Sequence, residues 1–100
     1  MLVNYQDYEC EVRLSHFDCN KRPALCLYEA DNGMPFCRAT VNVPELELAD
    51  DEMILDESNC PGIAEALAGA GVVSKPIRQV NYGFCKAPVV QLLWDGERAD

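Results

Sequence analysis

One hundred residues make one domain, and a hydrophobic content of 49% allows a single core and excludes the composition of a disordered chain. Charge is the outlier: 17 acidic against 8 basic residues give a net charge of -9, which disfavours nucleic acid and anionic membranes and attracts basic partners. The N-terminal residues hold no secretory pattern and no apolar run is long enough to span a bilayer, so a cytoplasmic protein is expected, in whichever cell makes it.

Residues 8–17 alternate, with Tyr8, Cys10, Val12 and Leu14 apolar and Glu9, Glu11, Arg13 and Ser15 polar. That period of two predicts a half-buried strand. Asp18, Asn20 and Pro23 mark a turn. Residues 24–30 and 34–43 predict a second and a third strand, joined through Asp31-Asn32-Gly33. Asn-Gly favours a two-residue type I′ turn. That turn would set Tyr28 opposite Cys37, Cys26 opposite Ala39 and Ala24 opposite Val41 on one apolar face. Leu25, Leu27 and Phe36 would lie on the other, open face, with Glu29 diagonal to Arg38. Pro35 cannot donate a ladder bond, which predicts an edge or non-bonded position.

Pro44 ends the third strand, and an acidic connection over residues 45–57 follows. Ser58 or Asn59 can cap a helix and Pro61 fits its first turn. Ile63, Ala64, Leu67 and Ala68 share one face, and Gly69 or Gly71 can stop the helix. Residues 77–82 and 87–94 predict the last strands, and 95–100 a loose tail. The expected fold is a single α+β domain over residues 1–100, in the order βββ-α-ββ. It has an antiparallel sheet of about five strands with one short helix packed on one face.

Few residues suggest chemistry. His16 is the sole histidine, and its neighbours Ser15 and Asp18 do not make a triad, because adjacent strand residues point to opposite faces. No glycine-rich nucleotide motif and no calcium-loop spacing is present. The six cysteines, Cys10, Cys19, Cys26, Cys37, Cys60 and Cys85, contain no C-x-x-C pair. They read as small buried hydrophobes, with metal binding or redox chemistry as the alternative. Tyr82 and Phe84 beside Lys86 faintly resemble a base-stacking platform, but at this net charge they read as core and rim. No catalytic residue, cofactor or metal site is expected.

The acidic connection is the candidate site. Between residues 39 and 74 there is no Lys, Arg or His, while Glu45, Glu47, Asp50, Asp51, Glu52, Asp56 and Glu57 crowd together. One reading is a solvated loop that maintains solubility. The other is electrostatic mimicry. In an extended chain, Glu45 and Glu47 would share a face about 6.6 Å apart. DNA spaces its phosphates by roughly 3.4 Å per strand. A carboxylate row could thus occupy a basic, nucleic-acid-binding surface of another protein. Leu25, Leu27 and Phe36 could instead grip that partner while the acids steer. A different class of function is a structural or regulatory protein that self-associates, as a weak homodimer, through a strand edge.

The run R-A-T-V-N-V-P-E-L-E-L-A-D-D-E-M-I-L-D-E-S, followed by C-P-G-I-A-E-A-L-A-G-A-G-V-V, resembles small acidic proteins of bacterial phages, plasmids and integrative elements. The matching residues are Thr40, Val41, Asn42, Val43 and Pro44, then Leu48, Asp50, Asp51 and Glu52, then Ala70, Gly71, Val72 and Val73. The resemblance implies a non-enzymatic accessory protein of a mobile element. Some members of that group block host defences, in the anti-CRISPR or anti-restriction manner. It transfers no catalytic residue, and the cysteines lie outside it.

Overall fold

The computed structural model describes residues 1–94, so the expected tail over 95–100 lies outside the described residues. The strands are β1 (Leu2–Tyr5), β2 (Tyr8–His16), β3 (Pro23–Glu29), β4 (Pro35–Arg38), β5 (Thr40–Val41), β6 (Glu52–Leu55), β7 (Arg78–Tyr82) and β8 (Cys85–Gln91). The helix α1 (Ile63–Gly69) falls between β6 and β7. The α+β class holds, but the single five-strand sheet is corrected to two four-stranded antiparallel sheets, β1-β2-β3-β4 and β5-β6-β8-β7.

The split occurs at Ala39. Its N–H donates to Leu25 O in the first sheet at 2.9 Å, and its C=O accepts from Asp56 N–H beside the second at 2.8 Å. The expected third strand is therefore two strands, one in each sheet. Thr40 Oγ1, buried next to this corner, accepts the Leu25 N–H at 3.2 Å. A hydroxyl thus replaces the ladder partner that β3 loses where the chain departs.

Residues 2–5 form a further strand, beyond those the sequence pattern predicts. It is too short to show a period, and its turn carries no glycine. Gln6 (φ 53°) and Asp7 (φ 67°) make the two-residue β1–β2 turn with both angles positive, the conformation expected of Asn-Gly. At Asn32-Gly33 only Gly33 is left-handed, at φ 73°. The loop there runs over four residues, closed by Glu29 N–H to Met34 O and Gly33 N–H to Glu29 O, both 2.8 Å. The register moves accordingly: Cys26 faces Arg38, Leu27 faces Cys37, and a bulge puts Tyr28 opposite Pro35. A one-residue slip exchanges the faces of a strand. Leu25 and Leu27 are fully buried in the core and Phe36 packs against it, so the expected open apolar face is corrected to an inner one. Glu29 and Arg38 make no ion pair; Arg13 instead stacks over the Tyr28 ring at 4.1 Å on the outer face. Pro35 does occupy an edge strand, as its missing donor requires.

The main core lies between the inner face of the first sheet, the helix and one face of the second sheet. It joins Val12, Leu25 and Leu27 to Ile63 and Leu67 and to Met53, Leu55 and Val90. The second sheet is buried on both faces, because Ile54, Ala87 and Val89 point away from that core into a smaller one. This explains why β6 and β8 read as continuous apolar runs without alternation. Ile63, Ala64 and Leu67 supply the buried face of α1, as their spacing predicts. Gly71 ends it: Gly71 N–H bonds Ala68 O at 3.1 Å and Val72 N–H bonds Leu67 O at 3.0 Å, a Schellman closure that uses its φ of 80°. No helix among the described residues is long and apolar enough to cross a membrane.

Candidate functional site

The acidic segment is an ordered loop, and its apolar residues order it. Leu46 and Leu48 pack with Val41, Val43 and Val80 over Ile54, Ala87 and Val89. The neighbouring Glu45 and Glu47 side chains are thereby turned outward. Pro44 and Glu45 form the centre of a turn closed by Leu46 N–H to Val43 O at 3.0 Å, so Glu45 and Glu47 lie outside any strand. The extended carboxylate row is thus replaced by carboxylates on a folded loop.

Two arginines from beyond the basic-free stretch hold this loop. Arg22 donates to Val43 O at 2.9 Å and to Leu46 O. Arg78 donates to Glu47 O at 3.3 Å and grips the Glu52 carboxylate at 3.2 and 3.3 Å. Glu52 also accepts Ala49 N–H at 3.0 Å. That backbone bond, then the Arg78 hydrogen bond, holds the Glu52 carboxyl below its usual range. The gap in basic residues exists along the chain but not in space.

The seven candidate acids separate into three groups. Glu45, Glu47 and Asp50 are exposed, and none of their carboxylates takes a hydrogen bond or ion pair among the described residues. Asp51 and Glu52 are partly engaged, Asp51 Oδ2 accepting Gln91 Nε2 at 2.7 Å. Asp56 and Glu57 are committed internally. Asp56 is buried, and its two oxygens accept Asn59 N–H at 3.3 Å and Asn59 Nδ2 at 3.0 Å. Glu57 accepts Gly62 N–H at 3.0 Å and Ala64 N–H at 2.7 Å.

Glu57 is therefore the helix cap, in place of the expected Ser58 or Asn59. The residue at the N-cap position is Gly62, at φ 81°, and offers no side chain. Pro61 stands before the first turn, where its C=O accepts the Tyr5 hydroxyl at 2.9 Å and ties β1 to the helix entrance. A Glu several residues upstream of a helix carries no local signature, so only the loop geometry discloses it.

The cysteines divide by environment, and all six are free thiols. Cys10 and Cys60 are buried in the core and Cys37 packs against it. Burial, followed by a hydrogen bond with Cys60, pushes the Cys37 thiol up to about 12. Cys60 Sγ in turn donates to Arg38 O at 3.4 Å. Thiols raised this way resist thiolate chemistry. Cys19 and Cys85 are exposed, outside the buried reading. No group of three or more His, Cys, Asp or Glu side chains among the described residues is placed to hold a metal ion. His16 ends β2 in an exposed position.

A concavity of about 770 Å³ lies between α1 and the chain before β7, away from Glu45, Glu47 and Asp50, lined by Ala64, Glu65, Ala68, Val73, Pro76 and Leu93. No protein-family model, curated protein or solved structure matches this chain. The molecule is thus described by its own geometry: two antiparallel sheets, one short helix, and an anchored acidic loop.

Proposed function

We propose that this is a non-enzymatic binding protein that presents Glu45, Glu47 and Asp50, flanked by Asp51, to a basic surface on another protein. The partner surface is one that ordinarily takes nucleic acid, as in a host defence complex. The observation that carries this reading is the anchoring of the loop. Leu46 and Leu48 are packed into the smaller core and Arg22 and Arg78 hold the backbone, while the carboxylates of Glu45, Glu47 and Asp50 around them remain free. A pre-ordered loop has less entropy to lose on binding than a floppy acidic tail. A net charge of -9 adds long-range attraction to a basic partner. Glu52, Asp56 and Glu57 contribute charge and hold the loop and helix in place.

The test is affinity capture from host lysate at low and high salt, followed by competition. The captured protein should bind DNA or RNA, lose this chain as salt rises, and release its nucleic acid when this chain is added. Substituting Glu45→Lys, Glu47→Lys and Asp50→Lys together should abolish capture without unfolding the protein. Capture that survives both high salt and the triple substitution would sink the reading.

A further inference from the structure

A second surface adjoins the acidic loop, which Arg78 meets at Glu47 O and the Glu52 carboxylate. Between Ala66 and Trp94 there is no Asp or Glu, although Lys75, Arg78 and Lys86 fall in that stretch. Those cations gather on or beside the β7–β8 hairpin. Its turn puts Phe84 fully in solvent, at 110% relative exposure, next to partly exposed Tyr82, and half-exposed Ile77 lies at the other end of β7. β7 is the outer strand of its sheet, hydrogen-bonded only to β8. Four of its five residues are exposed, and Val80 alone is partly buried.

The hairpin fixes which backbone groups are free. Tyr82 pairs with Cys85 across the two-residue turn Gly83-Phe84, so Tyr82, Val80 and Arg78 exchange ladder bonds with β8. Gln79 and Asn81 therefore turn their N–H and C=O groups outward. The other three edges are shorter: β1 and β4 have four residues each, β4 with Pro35 and Arg38 at its ends, and β5 has two. β7 has no proline, no bulge within its pairing to β8 and no acidic residue.

We propose that the outer edge of β7 pairs antiparallel with the same edge of a second copy of this chain, across a twofold axis through Val80. The sequence R-Q-V-N-Y is self-complementary in that register. Gln79 of each copy faces Asn81 of the other and exchanges both backbone bonds, giving about four new ladder bonds. Arg78 of each copy comes opposite Tyr82 of the other, so its stem can pack on the ring while its guanidinium stays on Glu52 of its own chain. Val80 meets Val80, and no charge faces a like charge. The register also carries the exposed Phe84 toward Pro76 of the second copy. The strand itself carries no Asp or Glu to set against its copy, and the one carboxylate at its start, Glu52, is held by Arg78 of the same chain.

This inference does not depend on the acidic-loop reading, and salt separates the two. Salt weakens capture by a basic partner, but it screens the mutual repulsion of two acidic copies and should tighten the dimer. The experiment is sedimentation equilibrium of the full chain over a range of protein and salt concentrations. A monomer of 11.1 kDa should give way to a species of twice that mass as protein or salt rises. Gln79→Pro removes an outward donor, which an edge strand tolerates, and should raise the dissociation constant about tenfold or more. Asn81→Lys adds an edge charge and should act in the same direction without demanding a proline geometry. Urea midpoints near wild type for either variant confirm that its fold is retained. A monomer under every condition overturns the proposal and leaves the edge to another extended chain, an acidic peptide being the one its basic flanks suit. A dimer that forms as tightly in both variants, or that salt dissociates, also overturns it.

Discussion

Replacing Glu57 by Ala tests whether this acid is a contact residue or part of the fold. The substitution removes both acceptors from Gly62 and Ala64 N–H, at the start of a seven-residue helix whose own N-cap has no side chain. Deleting a cap costs about 0.5–2 kcal/mol, and a hydrogen bond to a charged group contributes about 1.5–3 kcal/mol. The Gly62 bond is exposed and water can replace it, whereas Ala64 is buried, so the lower part of the combined range applies. The expected loss is about 2 kcal/mol, or roughly 8–16 °C in Tm for a domain of this size. Urea unfolding followed by far-ultraviolet circular dichroism should show a lower midpoint with an unchanged m value. Glu57→Gln keeps one acceptor oxygen and should lose about half as much. Glu45→Ala, on the free part of the loop, should stay within about 0.5 kcal/mol of wild type. A Glu57→Ala protein as stable as the Glu45→Ala control would refute the capping role and return Glu57 to the contact set.

Arg22→Ala should free the acidic loop, with faster hydrogen exchange at Leu46 N–H and a stability loss of about 1–2 kcal/mol. Arg22→Lys should not rescue it, since one ammonium lacks the fork that reaches two carbonyls; unchanged exchange in both variants would remove the clamp from the argument. At high pH the sign follows from two raised groups: Tyr5 is pushed from 10.0 to about 12 and Cys37 from 9.0 to about 12, each chiefly by burial. The unfolded chain releases these protons first, so stability is full below about 9 and falls as pH rises toward about 12. Urea midpoints taken from neutrality upward should decline, and Tyr5→Phe should show a shallower slope above 10; a flat profile would contradict the burial of these groups.

The α+β class was legible because two of its signals are local. Alternation at Cys10, Val12 and Leu14 is a strand signal, and the Ile63, Ala64, Leu67 spacing closed by Gly71 is a helix signal. The division into two sheets was not legible. It depends on Ala39 sending its N–H to one sheet and its C=O toward the other, and an alanine carries no mark of that role. The candidate site was half legible. Composition located the acids and the interleaved leucines, but Asp56 and Glu57 differ from Glu45 and Glu47 only in which N–H groups the fold brings to them.

Sequence by itself determined the net charge, the single-domain size and the segment where negative charge concentrates, because these are sums over residues and need no partner. Tertiary structure alone decided which of those charges remain free. Arg22 and Arg78 are far from the loop along the chain, yet both bond its backbone. Hydrogen bonding and burial depend on distance in space, and the folded chain brings together groups that the sequence keeps apart.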